Sequence, residues 1–154
     1  MSAELLPRPP LGGEELPGSF GDQVGHLVGD EVLREIGSIL RQTARLSDVV
    51  ARTGGEEFAI LAPDTDEEGA MLFAQRLLDA FRSHRFPALG ERQVTVSVGV
   101  AIALARTDGV LRLLRARSDE ALYVAKRSGR DRSEKWHEGK ATRASQVNLK
   151  AIDE

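Results

Sequence analysis

Two adjacent carboxylates, Glu56 and Glu57, follow directly on the pair Gly54-Gly55. That combination suits phosphate chemistry. Glycines carry no side chain, so an anionic ligand can approach the backbone closely and meet peptide N–H groups. Neighbouring acids beside such a bare backbone suit a divalent metal carrying a nucleoside triphosphate. Much later in the chain, Lys126 and Arg130 lie four residues apart, a spacing that lets both project from one side of a helix end. Asp30 opens a helical stretch, and Arg45 and Asp48 lie three apart, with Arg45 nine residues ahead of Gly54. Each also has a plain structural explanation. The glycine turn can be a solvated turn, Asp30 an N-cap, Arg45 and Asp48 a surface ion pair of little worth, and Lys126 and Arg130 cations favoured at a helix C-terminus.

The elements that must position these residues are legible from patterning. Val49-Val50-Ala51 and Phe58-Ala59-Ile60-Leu61 read as two short strands. Between them Gly54-Gly55 reads as a hairpin turn, since glycine takes positive φ at both central positions without steric cost. Before the hairpin, Val32, Ile36, Ile39 and Leu40 form one helical stripe. After it, the acidic turn from Asp64 to Glu68 leads into a helix with Ala70, Phe73, Ala74, Leu77 and Phe81 on one face. Val94, Val96, Val98, Val100 and Ile102 alternate with small residues, which predicts a strand whose small-residue face lets a helix pack closely. A last helical stripe runs through Val110, Leu114, Ala121, Leu122 and Ala125 and stops at Gly129, a plausible C′ residue.

Composition bounds the class of protein. At 154 residues, with 41% apolar and 29% charged residues, the chain has the length and balance of one soluble globular domain. A formal charge of −3 exerts no general pull toward nucleic acid or anionic membrane, so phosphate must be met by local clusters of Arg and Lys. With no cysteine, disulfides and thiolate metal sites are excluded, and a cytoplasmic location is expected. No apolar run is long enough to span a bilayer, and no signal peptide pattern opens the chain.

Five segments together resemble the GGDEF family of diguanylate cyclases. They are Gly54-Gly55-Glu56-Glu57-Phe58, Gly25-His26-Leu27-Val28-Gly29-Asp30-Glu31-Val32-Leu33, Arg45-Leu46-Ser47-Asp48, Val94 to Ala101 and Ser118 to Arg130. The resemblance covers Phe20 to Arg130. It implies an α/β fold of nucleotidyl-cyclase and polymerase-palm type, an antiparallel-rich sheet flanked by helices. It also implies the condensation of two GTP into cyclic di-GMP with Mg²⁺ or Mn²⁺ as cofactor, in a homodimer, without DNA or RNA.

The resemblance further assigns roles. Glu56 binds metal and assists deprotonation of the 3′-OH, Glu57 adds metal coordination, and Gly54 and Gly55 admit the substrate. Asp30 accepts hydrogen bonds from the guanine N1–H and amino group, and Lys126 and Arg130 hold the triphosphate. Arg45, Asp48 and Arg76 form an inhibitory site for the product. His26 orders its loop.

Residues 1–19 depart from the family pattern. Pro7, Pro9, Pro10 and Pro17 with Gly12, Gly13 and Gly18 predict an irregular segment, with the GGDEF-like domain spanning 20–131 and a polar tail, or the start of another helix, over 132–154. The family places a central strand and an Asp-x-Asp metal pair there. Counted back from Asp22, those aspartates fall on Gly13 and Glu15, the family lysine on Gly18 and the guanine-binding asparagine on Gly21. Two explanations are open: the natural chain has lost its first strand, or the opening residues are not the domain's true start, as in a truncated or misread copy. The abrupt start of the match at Phe20 favours the second, with Glu14 or Glu15 as a substitute acid. The alternative to a cyclase is a module that binds cyclic di-GMP or GTP without catalysis, or a dimerising scaffold.

Overall fold

The computed structural model describes residues 1–8, 26–103 and 108–138. In chain order these form β1 (Ser2–Arg8), α1 (His26–Thr43), β2 (Val49–Arg52), β3 (Glu57–Leu61), α2 (Glu67–Ser83), a 3-10 turn over Pro87–Leu89, β4 (Gln93–Val100), α3 (Val110–Arg127) and β5 (Ser133–Lys135). The five strands make one sheet in the order β2-β3-β1-β4-β5. β1 pairs antiparallel with both β3 and β4, and β5 joins β4 in parallel.

The two faces of the sheet are covered differently. On one face Phe58, Ile60, Ala3 and the valines of β4 are buried in one core with Val32, Ile36 and Leu40 of α1 and with Phe73, Leu77 and Phe81 of α2. The expected stripes of α1 and α2 are therefore the buried ones. α2 starts as the acidic turn predicts, with Asp66 as N-cap accepting from Gly69 N–H at 2.8 Å. On the other face α3 lies against β4 so closely that a Cβ on Gly99 would come within 2.0 Å of the Ser118 carbonyl oxygen and 2.3 Å of the Leu122 nitrogen. The small-residue face of β4 exists to admit that helix.

Two expectations are corrected. Ser2–Arg8 is a strand in the middle of the sheet, not part of an irregular segment. Proline counting misleads here because β3 pairs only with Ser2, Ala3 and Glu4. Among the described residues, the half of β1 that contains Pro7 therefore has β4 alone beside it, the edge-like setting in which a proline is accommodated. The positions counted for the family's Asp-x-Asp, lysine and asparagine (Gly13, Glu15, Gly18 and Gly21), together with Glu14 and Asp22, lie outside the described residues. At the other end, the tail expected over 132–154 begins as β5, with Ser133 opposite Val98 and Lys135 opposite Val100. Trp136 continues it, donating its backbone N–H to Val100 at 2.8 Å and its indole N–H to Glu120 at 2.8 Å, while Arg117 lies over its ring. The remainder of the tail, 139–154, is outside the described residues.

Candidate active site

The hairpin forms where the two apolar segments predict it, with Arg52 opposite Phe58 and Val49 opposite Leu61. Its turn is not the one expected. Neither Gly54 nor Gly55 has φ in the left-handed region. Thr53 and Gly54 both donate their N–H groups to the Glu57 carbonyl, at 2.9 and 3.3 Å, so the loop is wider than a two-residue turn. Gly54 instead lies against the exposed side chain of Glu57, whose carboxylate end can swing aside. A Cβ on Gly54 would stand 2.8 Å from Glu57 Oε2, whereas at Gly55 it would meet nothing within 4 Å among the described residues.

Sequence reasoning passed over the residue that holds this loop. Arg52 donates from Nε to the carbonyls of Gly54 and Gly55, at 3.1 and 3.2 Å, and from Nη2 to Gly55 at 2.8 Å. With its carbonyls gripped by a planar fork, the turn carries Glu56 half-exposed and Glu57 exposed at its exit. The available signal was an arginine two residues before the glycine pair.

Lys126 and Arg130 sit at the end of α3, and their placement follows from strand directions. β3 and β4 run the same way, since both are antiparallel to β1, and Glu57 and Ser97 stand level on either side of Glu4. The hairpin tip therefore projects toward the Gln93 end of β4. α3 runs opposite to β5, because Trp136, beyond the end of β5, reaches back to Glu120. Its last turn thus lies at that same end of the sheet, the one that carries the carboxylates. Gly129, at φ 110°, is the C′ residue. Arg130 N–H bonds the Ala125 carbonyl at 3.1 Å and Gly129 N–H the Lys126 carbonyl at 3.5 Å, the two bonds of a Schellman cap.

Asp30 is not the N-cap expected for α1, which begins at His26. It stands in the second turn with helical neighbours on both sides, and its side chain is exposed. It faces an open cleft of about 430 Å³ whose α1 wall includes Leu33, Arg34 and Gly37 and whose hairpin wall includes Arg52 and Phe58. Asp30 and the carboxylate hairpin thus share one cleft, though 22 residues separate Asp30 from Arg52 in the chain.

Arg45, Asp48 and Arg76 gather around the C-terminus of α1. Asp48 does not pair with the Arg45 guanidinium. Its Oδ2 accepts from the Arg45 backbone N–H at 2.7 Å, closing a turn in which Asp48 N–H also bonds the Arg45 carbonyl at 3.0 Å. Its Oδ1 is buried and has no hydrogen-bond partner among the described residues. Arg76 reaches the Thr43 carbonyl at 3.4 Å and lies over the Phe73 ring, which puts it beside the Arg45 turn.

Among the described residues no three His, Asp or Glu side chains form a group that could hold a metal ion by themselves. The hairpin offers two carboxylates, and that set fits Mg²⁺, which is commonly held by one or two carboxylates with substrate phosphates and water completing its shell. No helix among the described residues is long and apolar enough to cross a membrane.

Comparison with known proteins bears on the fold and the family. A family model for the diguanylate cyclase GGDEF domain matches residues 19–132. The diguanylate cyclase DgcP of Pseudomonas aeruginosa is 41% identical over 116 residues, covering 75% of this chain and 17% of that protein. The response regulator PleD of Caulobacter vibrioides is 35% identical over 139 residues, covering 82% of this chain and 30% of that protein. The chain thus spans a minor part of either relative. Among solved structures, the active GGEEF domain of a diguanylate cyclase from Vibrio cholerae superposes with TM-score 0.71 at 29% identity, covering 90% of this chain and 81% of that one. The GGDEF domain of DgcB from Caulobacter crescentus, solved in complex with c-di-GMP, superposes with TM-score 0.60 at 28% identity, covering 87% of this chain and 75% of that one.

Proposed function

The chain belongs to the diguanylate cyclase GGDEF-domain family, and we propose that it condenses two GTP into cyclic di-GMP as a homodimer, each copy holding one nucleotide. The observation that carries this reading is the common location of two distant elements. The hairpin bearing Glu56 and Glu57 and the last turn of α3 bearing Lys126 share one end of the sheet, with Arg130 following in the cap.

The chain's own residues divide the work by chemistry. Asp30 presents two acceptor oxygens to the N1–H and amino group of guanine, a pairing that adenine cannot match. Lys126 and Arg130 bring positive charge to the triphosphate and hold the pyrophosphate as it leaves. Glu56 accepts the proton of one nucleotide's 3′-hydroxyl. The freed oxygen then forms its bond to the α-phosphorus of the other nucleotide while the bond to pyrophosphate breaks, and a second such transfer closes the ring. Glu56 and Glu57 would hold Mg²⁺, or Mn²⁺ in its place. When bound with the nucleotide, that ion neutralises phosphate charge and acidifies the attacking hydroxyl. Facing copies are required because each supplies one of the two nucleotides.

Arg45, Asp48 and Arg76 would bind the product. The exposed Arg45 and Arg76 support this, as cations able to meet phosphate or the guanine edge.

The direct test incubates the 154-residue chain with GTP and Mg²⁺, alone and fused to a dimerising coiled coil, and resolves the nucleotides by chromatography. Cyclic di-GMP and pyrophosphate are expected. Failure of the fused, folded chain to make any cyclic di-GMP would end the reading.

A further inference from the structure

We propose that Arg82, in the last turn of α2, is a positioning residue for Arg130. The inference rests on the reading of Arg130 as a ligand of the nucleotide phosphates.

Three consecutive residues after α3 have left-handed backbone: Gly129 at φ 110°, Arg130 at 56° and Asp131 at 48°. Glycine takes this conformation freely and aspartate more readily than most residues, whereas an arginine is held there by surrounding contacts. The Schellman bonds hold the run from behind. Ahead of it, the Arg132 carbonyl accepts from Val98 N–H at 2.9 Å and launches β5, and Arg132 Nε donates to the Arg130 carbonyl at 3.3 Å.

The sideways hold comes from Arg82, 49 residues earlier. Its Nε donates to the Asp131 carboxylate oxygens at 3.1 and 3.3 Å, and its Nη2 donates to the Asp131 backbone carbonyl at 2.8 Å. The fork therefore fixes the side chain and the main chain of Asp131 at once. The Asp131 side chain is 17% exposed, so water competes little for it. Arg82 also lies 3.6 Å from Asp79 Oδ1, its neighbour on α2, beyond hydrogen-bonding distance. A lysine could supply the charge at this position but could not grip two groups in one plane. Arg82 touches no substrate in this scheme. It keeps the left-handed pair from relaxing, and Arg130 keeps its aim.

The test measures binding of α,β-methylene-GTP with Mg²⁺ by calorimetry, in the dimerised chain and its variants Arg82→Gln, Arg82→Lys, Arg130→Ala and the double variant Arg82→Gln/Arg130→Ala. Loss of one phosphate contact corresponds to about a tenfold rise in Kd. Arg130→Ala is expected to show it, Arg82→Gln to approach it and Arg82→Lys to fall between. The double variant should be no weaker than Arg130→Ala alone, because the two changes remove one interaction. A general loss of stability would instead weaken both backgrounds equally, and that additivity would overturn the proposal. Weakening by Arg130→Ala with none by Arg82→Gln would overturn it while sparing the phosphate reading. An unaltered Kd in Arg130→Ala would overturn both.

Discussion

Arg52 Nη2 donates to the carbonyl of Gly55 at 2.8 Å, while the same guanidinium's Nε bridges the carbonyls of Gly54 and Gly55. The residue in front of the turn thus holds the turn's outer rim, just before Glu56. Arg52→Ala is expected to lower cyclic di-GMP formation about tenfold or more while shifting Tm by only a few degrees, since the side chain is exposed and its bonds are local. Arg52→Lys should recover part of the rate. An unchanged rate in Arg52→Ala would show that the turn keeps its shape without the fork.

Glu56→Gln preserves size and hydrogen bonding but removes the charge and the proton acceptor. Synthesis of cyclic di-GMP is expected to vanish, with the thermal unfolding curve unchanged because Glu56 is in a half-exposed loop position. Synthesis at the unsubstituted rate would remove Glu56 from the role of base.

Arg45→Ala is expected to weaken cyclic di-GMP binding about tenfold and to relieve inhibition by accumulated product, with initial rates unaltered. Progress curves of GTP consumption and calorimetry with the product check both parts. Equal inhibition in the variant would argue against a product site at the α1 C-terminus.

Gly99→Ala tests the closeness of α3 to β4. The added methyl would overlap the backbone of Ser118 and Leu122, atoms that cannot swing aside as a side chain can. We expect a loss of about 3 kcal/mol or more in stability, which in a domain of this size lowers Tm by roughly 6–12 °C. A variant as stable as the parent would mean that α3 rides higher on the sheet.

In the 154-residue chain the Met1 ammonium donates to the Ile60 carbonyl at 2.7 Å, and burial lowers its pKa from 8.0 to about 6, against a smaller opposing pull from Asp119. Its folded-state pKa lies below the unfolded value, so the native state releases this proton first. Stability from this group therefore rises with pH between about 6 and 8, by about 2 to 3 kcal/mol in all, and is flat outside that window. Urea midpoints measured from pH 5.5 to 8.5 should climb for the free amine and climb less after N-terminal acetylation. Identical slopes in the two forms would exclude the amine as the source.

Patterning alone determined most of the scaffold. The stripes of α1 and α2, the alternation of β4 and the glycine stop after α3 are read from residues a few positions apart, because burial of one face imposes its period on the local chain. The same holds for the hairpin and for the identity of the carboxylates, cations and aspartates offered for chemistry. What only tertiary structure decided are relations between residues with no local tie. Ser2–Arg8 is a strand because β3 and β4 present open edges on either side of it, which no proline count conveys. Asp30 meets the hairpin across a cleft instead of capping its helix, and Arg82 grips a left-handed Asp131 across 49 residues. Such contacts depend on strand register and on where two helix ends come to rest. Those are set by the packing of the whole core, and packing distributes its information over every pair of residues that touch rather than along any one stretch of chain.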